Sequence, residues 1–417
     1  MNKPSVVSLF TGAGGLDYGF EAAGFQTAVA VENDPQCAKT LNENKRGWPI
    51  VCDDIHNLNA SDLLRKAQLT VGDVDALIGG PPCQPFSKSG YWATGQTRRL
   101  SDPRAATLES FLRVLDETTP RVFLLENVDG LGFRGKEEGL YYITQRLQQI
   151  NSARGTSYRA FSRVLNAADF GVPQMRRRLF IVGSRDGARF IFPAQTHAER
   201  VEENSALKAR YINAWDAIGD LEIGPPETDL NVTGKWADLL PSIPEGQNYL
   251  WHTARGGGEH LFGWRRRYWS FLLKLAKDLP SWTLQAQPGP ATGPFHWSNR
   301  RLSRQEMMRL QTFPTNVTIT GTYGEAQRQL GNAVPSLLAE VLARAIRSQL
   351  LGHPVTGALQ LALSAKPTAT PPPEKLKPVP ARYLSLRGIH EAHPGTGKGY
   401  RAASRDPYAG LRTQKLL

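Results

Sequence analysis

Five short apolar runs alternate with longer amphipathic segments through residues 1–185, and this rhythm limits the chain more than any other feature. The runs are Val6–Phe10, Thr27–Val31, a weaker Ile50–Cys52, Ala76–Ile78 and Val122–Leu125. Short continuous apolar runs of this kind are expected of strands buried on both faces. Between them GLDYGFEAAG, DPQCAKTLNEN, SDLLRKAQ, TLESFLRVLDE and YYITQRLQQIN read as helices, with Asp34 and Ser61 as expected N-caps and Pro35 suited to a first turn. The alternation predicts an α/β fold on a doubly wound, mostly parallel sheet, in which ligands sit beyond the carboxyl ends of the strands. Just past the five runs stand TGAGG, Glu32-Asn33, Asp53-Asp54, GGPPC and Glu126-Asn127. Glycines, carboxylates and a thiol are therefore expected along one edge of one sheet.

From about Gly187 to Gly293 the rhythm stops and the text turns irregular, rich in Trp, Gly, Pro and Arg, which predicts a second, smaller loop-rich domain. Within it, Trp264 to Leu279 reads as a helix with Leu272, Leu275 and Leu279 facing a core. A strong amphipathic helix follows in RQLGNAVPSLLAEVLARAIRSQL, and then SAKPTATPPPEKLKPVP, which has the composition of an extended linker. The expected division is residues 1–186, residues 187–321 with a hinge, a returning segment at 322–352, and a Pro/Lys-rich linker with a basic tail at 353–417.

A net charge of +12 favours a polyanionic partner such as nucleic acid. Ten Lys and Arg residues but only three Asp and Glu lie after residue 350, so much of the excess is expected in a solvated tail. No apolar stretch is long enough to span a membrane, and the first residues lack the pattern of a signal peptide, so a cytoplasmic protein with no membrane partner is expected. Cys37, Cys52 and Cys83 show neither disulfide nor zinc spacing, and no metal site is expected.

Gly12, Gly14 and Gly15 follow the first run and can let a ligand approach the backbone at a helix start. A dinucleotide fingerprint would need glycine at 17, where Asp17 stands; Glu32, twenty residues after Gly12, is placed to grip ribose hydroxyls. Asp17 argues against NAD or FAD, and the glycine loop with the acid points to another adenosine-containing cofactor, with a plain structural turn as the alternative. Asp54 is a candidate acceptor for an adenine amino group, or a helix cap. Cys83 sits in GGPPCQPFS, where the prolines exclude helix and central strand and leave a stiff loop. Its thiol needs nearby positive charge to act as a nucleophile. In QMRRR, Gln174, Arg176 and Arg178 alternate so as to share one strand face, with Arg177 on the other. Glu126 ends an apolar run, so burial should raise its pKa and make it a candidate acid. Cys83 and Glu126 end successive strands, expected to be neighbours across the switch point.

LFTGAGGLDYGF, GGPPCQPFS, LLENV, VPQMRRRLFIVG, RRLSRQEMMRLQTFP and RQLGNAVP, in this order, resemble the ordered motifs of the DNA (cytosine-5-)-methyltransferases of bacterial restriction-modification systems. The resemblance runs from Val6 to about Leu350 and implies the S-adenosylmethionine-dependent methyltransferase fold, with the irregular module as its target-recognition domain. It implies that Phe10, Gly12, Gly14, Glu32, Asp54 and Pro82 line the S-adenosylmethionine site, with Leu108 and Asn332 as further contacts. It implies Cys83 as nucleophile, Glu126 on the target ring's nitrogen 3 and amino group, Arg178 on its oxygen 2, and Gln174 and Arg176 in support. The chain departs from the family at Asp53, where Gly is usual, and at Gln305, although Glu306 keeps its register.

The resemblance further implies double-stranded DNA as partner and target-base flipping, with a cognate restriction endonuclease as a functional counterpart that forms no stable complex. A monomer is expected. Ser87 to Arg104 is long for a loop and carries Lys88, Tyr91, Trp92, Arg98, Arg99 and Arg104, so it is expected to close over DNA, with Ser87, Lys88, Arg98 and Arg99 as contacts. HTARGGGEHLFGWRRRYW, with Arg265 and Arg266, is expected to read the target. An RNA-directed relative, a non-catalytic DNA-binding regulator and a nucleotide-dependent oxidoreductase are the alternatives. HPGTGKGY near the end fails as a phosphate loop, since Ala392 and Gly399 occupy its defining positions.

Overall fold

The computed structural model describes residues 3–45, 47–82, 106–129, 138–200, 209–221, 229–263, 269–363 and 369–388. Its first part alternates β1 (Ser5–Leu9), α1 (Gly15–Ala22), β2 (Gln26–Glu32), α2 (Pro35–Asn44), β3 (Ile50–Cys52), α3 (Ala60–Ala67), β4 (Ala76–Gly79), α4 (Ala106–Thr118), β5 (Val122–Val128) and α5 (Glu138–Arg154). Then come β6 (Phe161–Asn166), the short β7 (Gln174–Met175) and β8 (Arg177–Ser184). Seven strands form one sheet in the order β3-β2-β1-β4-β5-β8-β6. The pairs from β3 to β5 are parallel, while β8 runs antiparallel to both β5 and β6.

Side chains alternate along each central strand between two apolar layers, as the twofold period of a strand requires. Val6, Ala76, Ile78, Val122 and Leu124 enter one layer with Phe20 of α1. Val7, Leu9, Leu77, Phe123 and Leu125 enter the other, against Leu63 of α3, Phe111 of α4 and Ile143 of α5. Burial on both faces is why these strands read as continuous apolar runs rather than alternating ones. The first layer is closed from the far end of the chain by Leu338, Leu342 and Ile346 of α9 (Ser336–Leu350). There α1 and α9 pack so closely that a Cβ on Gly19 would lie 2.4 Å from that of Ala339.

Three local expectations change. The Asp34 side chain does cap α2 by accepting from Gln36 N, but α3 begins at Ala60 after Asn59, so Ser61 lies inside the helix and is not its cap. The strand order reverses between β1 and β4, so β4 and β5 are neighbours on one side of the switch point rather than across it. Residues 269–279 form no helix. Leu272 adopts a left-handed φ of 52°, and Phe271 and Lys274 bridge to Thr292 and Phe295. The N–H groups of Leu272 and Leu275 donate to Ala291 and Phe295 carbonyls, so the backbone is satisfied without helical bonds. Leu272 and Leu275 are buried as expected, whereas Leu279 is 48% exposed.

This second region has its own core of Leu239, Leu240, Ile243, Tyr249, Leu261, Leu272 and Phe295. It is joined to the first part by β9 (Ser281–Trp282), which pairs parallel with β7 in a separate two-stranded sheet just before β8. Between the two regions, α6 (Ala214–Ile218), α7 (Arg304–Leu310) and α8 (Tyr323–Asn332) pack with Ala13 and Tyr18 beside the glycine loop. Ser303 and Glu306 form a capping box at α7, and Glu306 also accepts from Arg300, so Gln305 disturbs nothing here.

Candidate active site

β1 ends in a loop held by left-handed residues: Phe10 (φ 55°), Gly12 (φ 58°) and Gly14 (φ 88°). Such angles suit glycine and strain other residues, so the turn at Gly12 and Gly14 depends on their lacking a Cβ. Gly12 N donates to Glu32 Oε2 at 2.6 Å, across the ends of β1 and β2, and Asp34 N donates to Glu32 Oε1 at 2.9 Å. Burial pushes the Glu32 carboxyl above its ordinary value, opposed by these N–H bonds. A Cβ on Gly12 would meet nothing within 4 Å, so space is open over the loop. Gly15 lies against the backbone after α8, where its Cβ would fall 2.3 Å from Val334 O. Exposed Asn332 ends α8 beside this contact.

Beyond β3, Asp54 caps the turn Ile55–Asn57 by accepting from His56 N and pairs with His56 Nδ1 at 2.6 Å, which lowers its pKa. Leu108 sits within the second apolar layer at 2% exposure, so a ligand would meet little of it. Pro82 is exposed, and its carbonyl accepts from Thr107 Oγ1 at 3.1 Å.

Glu126 lies near the carboxyl end of β5, two residues before its last, at 8% exposure. Its carboxylate pairs with Arg178 Nε at 3.1 Å. Burial pushes its pKa up, and the charges of Arg178 and Arg176 act against that shift. The two glycines that open GGPPC are packing residues. Cβ atoms on them would fall 2.8 Å from Leu9 O at Gly79 and 2.9 Å from Glu126 Oε2 at Gly80. What they make room for is β1 and the Glu126 carboxylate. Asn127 Nδ2 donates to Pro81 O at 3.2 Å, fixing the next carbonyl. The LLENV motif assigns Asn127 no role, and the signal that marks it is a polar side chain at the carboxyl end of a buried run.

Gln174 and Arg176 are buried and Arg177 is exposed, as the alternation predicts. Gln174 donates to Leu310 O and accepts from Leu284 N, while Arg176 donates to Leu284 O and to Gly331 O, the latter at 2.9 Å. These two side chains clamp the sheet to the second region and to α8, and only Arg178 reaches Glu126. The structure thus gathers the glycine loop, Glu32, Asp54, Pro82, Glu126 and Arg178 along the carboxyl edge. Cys83, Ser87, Lys88, Arg98, Arg99, Arg265 and Arg266 lie outside the described residues, as does the remainder of the expected lid up to Arg104. No helix among the described residues is long and apolar enough to cross a membrane.

Residues 5–348, which include this edge, match the C-5 cytosine-specific DNA methylase family, and the chain belongs to that family. It is a DNA (cytosine-5-)-methyltransferase of the type found in type II restriction-modification systems. Among its relatives is the type II methyltransferase M.SacI of Streptomyces achromogenes, 41% identical over 370 residues that cover 83% of this chain and 93% of the relative. M1.HphI of Haemophilus parahaemolyticus is 32% identical and covers 82% of this chain and 86% of its own. In fold, the chain is similar to the Entamoeba histolytica methyltransferase EhMeth, with a TM-score of 0.56 at 15% identity over 84% of this chain and 99% of that one.

Proposed function

We propose that this methyltransferase uses S-adenosylmethionine to methylate carbon 5 of a cytosine within one specific duplex DNA sequence, by covalent catalysis through Cys83 on a base flipped out of the helix. The observation that carries the reading is the packing of residues 79–82 against Glu126 and Asn127. Gly80 touches the carboxylate and Asn127 holds the Pro81 carbonyl, so Cys83, two residues further on, follows a fixed backbone next to the Glu126–Arg178 pair.

The donor fits the residues present. Left-handed turns leave open space over Gly12, and the buried Glu32 carboxylate at the ends of β1 and β2 suits ribose hydroxyls. When bound, S-adenosylmethionine supplies an electrophilic methyl group. The remaining work belongs to the chain. Cys83 thiolate adds to carbon 6 of the ring, Glu126 shares a proton at nitrogen 3, and Arg178 polarises oxygen 2, so that carbon 5 becomes electron-rich. After transfer, loss of the carbon 5 proton and departure of the Cys83 sulfur restore the aromatic ring. A thiol suits both steps because it attacks well and leaves well. Carbon 6 is inaccessible in a duplex, so the base must leave the stack, at a cost of a few kcal/mol.

In this reading residues 187–321 carry target recognition on the catalytic part at 1–186 and 322–352. The 87–104 segment closes over DNA through Ser87, Lys88, Arg98 and Arg99, and Arg265 and Arg266 serve the recognition module. Protection of host DNA from a cognate endonuclease is the role, and the enzyme acts in the cytoplasm as a monomer. Bisulfite sequencing of host DNA expressing the gene tests the proposal: one short motif should carry protected cytosines. Uniform conversion, or the same protection with Cys83→Ser, would overturn it.

A further inference from the structure

The family match ends at residue 348, yet the chain beyond it is anchored twice. The first anchor is on α9, where the fully buried Glu340 carboxylate accepts from Gln360 N and Leu361 N at 2.8 and 2.9 Å. Arg344 donates to the Gly357 and Ala358 carbonyls beside it. The second anchor crosses the recognition region. Lys277, nearly buried, bridges Glu245 at 2.7 Å and Glu374 at 3.0 Å, and also donates to Pro372 O. Lys377 N donates to Pro241 O at 3.0 Å. Tyr383 is 2% exposed and stacks on Trp236, with ring centroids 5.5 Å apart and planes 17° from parallel. Its hydroxyl donates to Lys235 O and contacts Asp238, which also pairs with Arg382. Trp236 in turn packs edge-on to Phe262 and Phe271, and Arg387 pairs with Glu259 at 2.6 Å. Phe262 and Glu259 belong to the HTARGGGEHLFGWRRRYW stretch.

We propose that the segment carrying Glu374, Lys377, Tyr383 and Arg387 is a structural wall of the target-reading module, required for duplex binding because it closes the aromatic core beneath the 253–263 loop. The DNA half of this inference rests on the assignment of that module to target recognition. A solvated Pro/Lys linker would leave Trp236 with an open face and Lys277 with one carboxylate fewer. Stacking onto a buried aromatic and an ion pair to a nearly buried lysine are the kinds of contact whose removal is felt.

The test compares three proteins with the full chain: one ending at Leu363, one ending at Gly388, and full-length Tyr383→Ala. Duplex Kd is measured by fluorescence anisotropy at fixed salt, S-adenosylmethionine Kd by calorimetry, and tryptophan emission without DNA. Ending the chain at Leu363 should weaken duplex binding about tenfold or more, as expected for loss of a packed anchor, and red-shift tryptophan emission while donor affinity is kept. Tyr383→Ala should move both readouts the same way, and the chain ending at Gly388 should match the full chain in emission and nearly so in Kd. Equal losses on ending at Leu363 and at Gly388 would assign the effect to tail charge and overturn the proposal. So would unchanged emission and Kd in Tyr383→Ala. Should the shortened chain fail to fold, donor binding falls with it, and Tyr383→Ala decides. Emission needs no DNA, so a full chain that bound no duplex would sink the recognition reading and leave the packing claim to be judged on emission.

Discussion

One methyl group on Gly80 would come within 2.9 Å of a Glu126 carboxylate oxygen, so this glycine sets how closely the chain leading to Cys83 approaches Glu126. Gly80→Ala should lower kcat roughly a hundredfold through misplacement of about an ångström, with donor Kd by calorimetry unchanged; a variant with near-normal kcat would show that the loop is free to shift. In the proposed mechanism Glu126 shares a proton, so the rate should fall as pH rises past its raised pKa. Arg178 holds that pKa down, and Arg178→Ala should move the descending limb of the kcat profile to higher pH as well as slow the reaction. A limb that stays in place would mean that it reports another group. Asp17 is a separate case. It is fully buried in α1, its oxygens have no hydrogen-bond partner among the described residues, and burial pushes its pKa to about 7. Between the ordinary aspartate value and about 7 the folded chain holds a proton that the unfolded chain has released. Stability therefore falls as pH rises through that window, by up to about 4 kcal/mol. Asp17→Asn lacks this loss, so its melting temperature relative to the parent should climb from pH 4 to pH 7; a constant difference would contradict the assignment. At this scale Glu126 was legible because it ends an apolar run. The role of Gly80 was not, since it depends on which strand lies next to β4.

The glycine at position 19 shows how elements depend on one another across the whole chain. Its missing Cβ lets α1 meet α9, and Gly19→Ala should destabilise the fold by about 1–3 kcal/mol, as overpacking does, read as a lower urea midpoint at unchanged slope. A parental midpoint would mean that the helices can part at no cost. Arg328 of α8 acts at similar range. It pairs with Asp34, whose backbone N–H donates to Glu32. Arg328→Ala should raise donor Kd a few-fold, the scale of a part-exposed ion pair, with kcat kept at saturating donor and Arg328→Lys restoring part of the affinity. Unchanged Kd would show that α2 holds Glu32 unaided. Strands β1 to β5 and the helices between them were legible because burial on both faces writes continuous apolar runs. The helix expected at 264–279 is absent over its described part, 269–279: leucines at 272, 275 and 279 match helical spacing, but the backbone N–H groups of Leu272 and Leu275 are satisfied by Ala291 and Phe295 instead. Partners distant in sequence leave no local periodic trace.

For the molecule as a whole, charge was the most direct pointer to its partner, and it was only partly placed. The net +12 favours a polyanion, and duplex affinity should fall steeply with salt, by about a thousandfold or more between 50 and 200 mM for six or more phosphate contacts. A shallow dependence in an anisotropy titration would argue against backbone contacts on that scale. Residues 364–380 read as an extended linker because nine of the seventeen are Pro or Lys; the structure docks residues 369–388 on the second region through Tyr383, Glu374 and Lys377. A single buried tyrosine in a polar stretch carries no pattern from which this could be read. Catalysis as proposed rests on the thiol between the prolines of GGPPCQPFS. Duplex DNA with 5-fluorocytosine at the mapped target position, incubated with enzyme and S-adenosylmethionine, measures it most directly. The account predicts a denaturant-stable protein–DNA adduct that peptide mapping places on Cys83 and that Cys83→Ser abolishes. Methyl transfer to ordinary cytosine without any trapped adduct on Cys83 would contradict it.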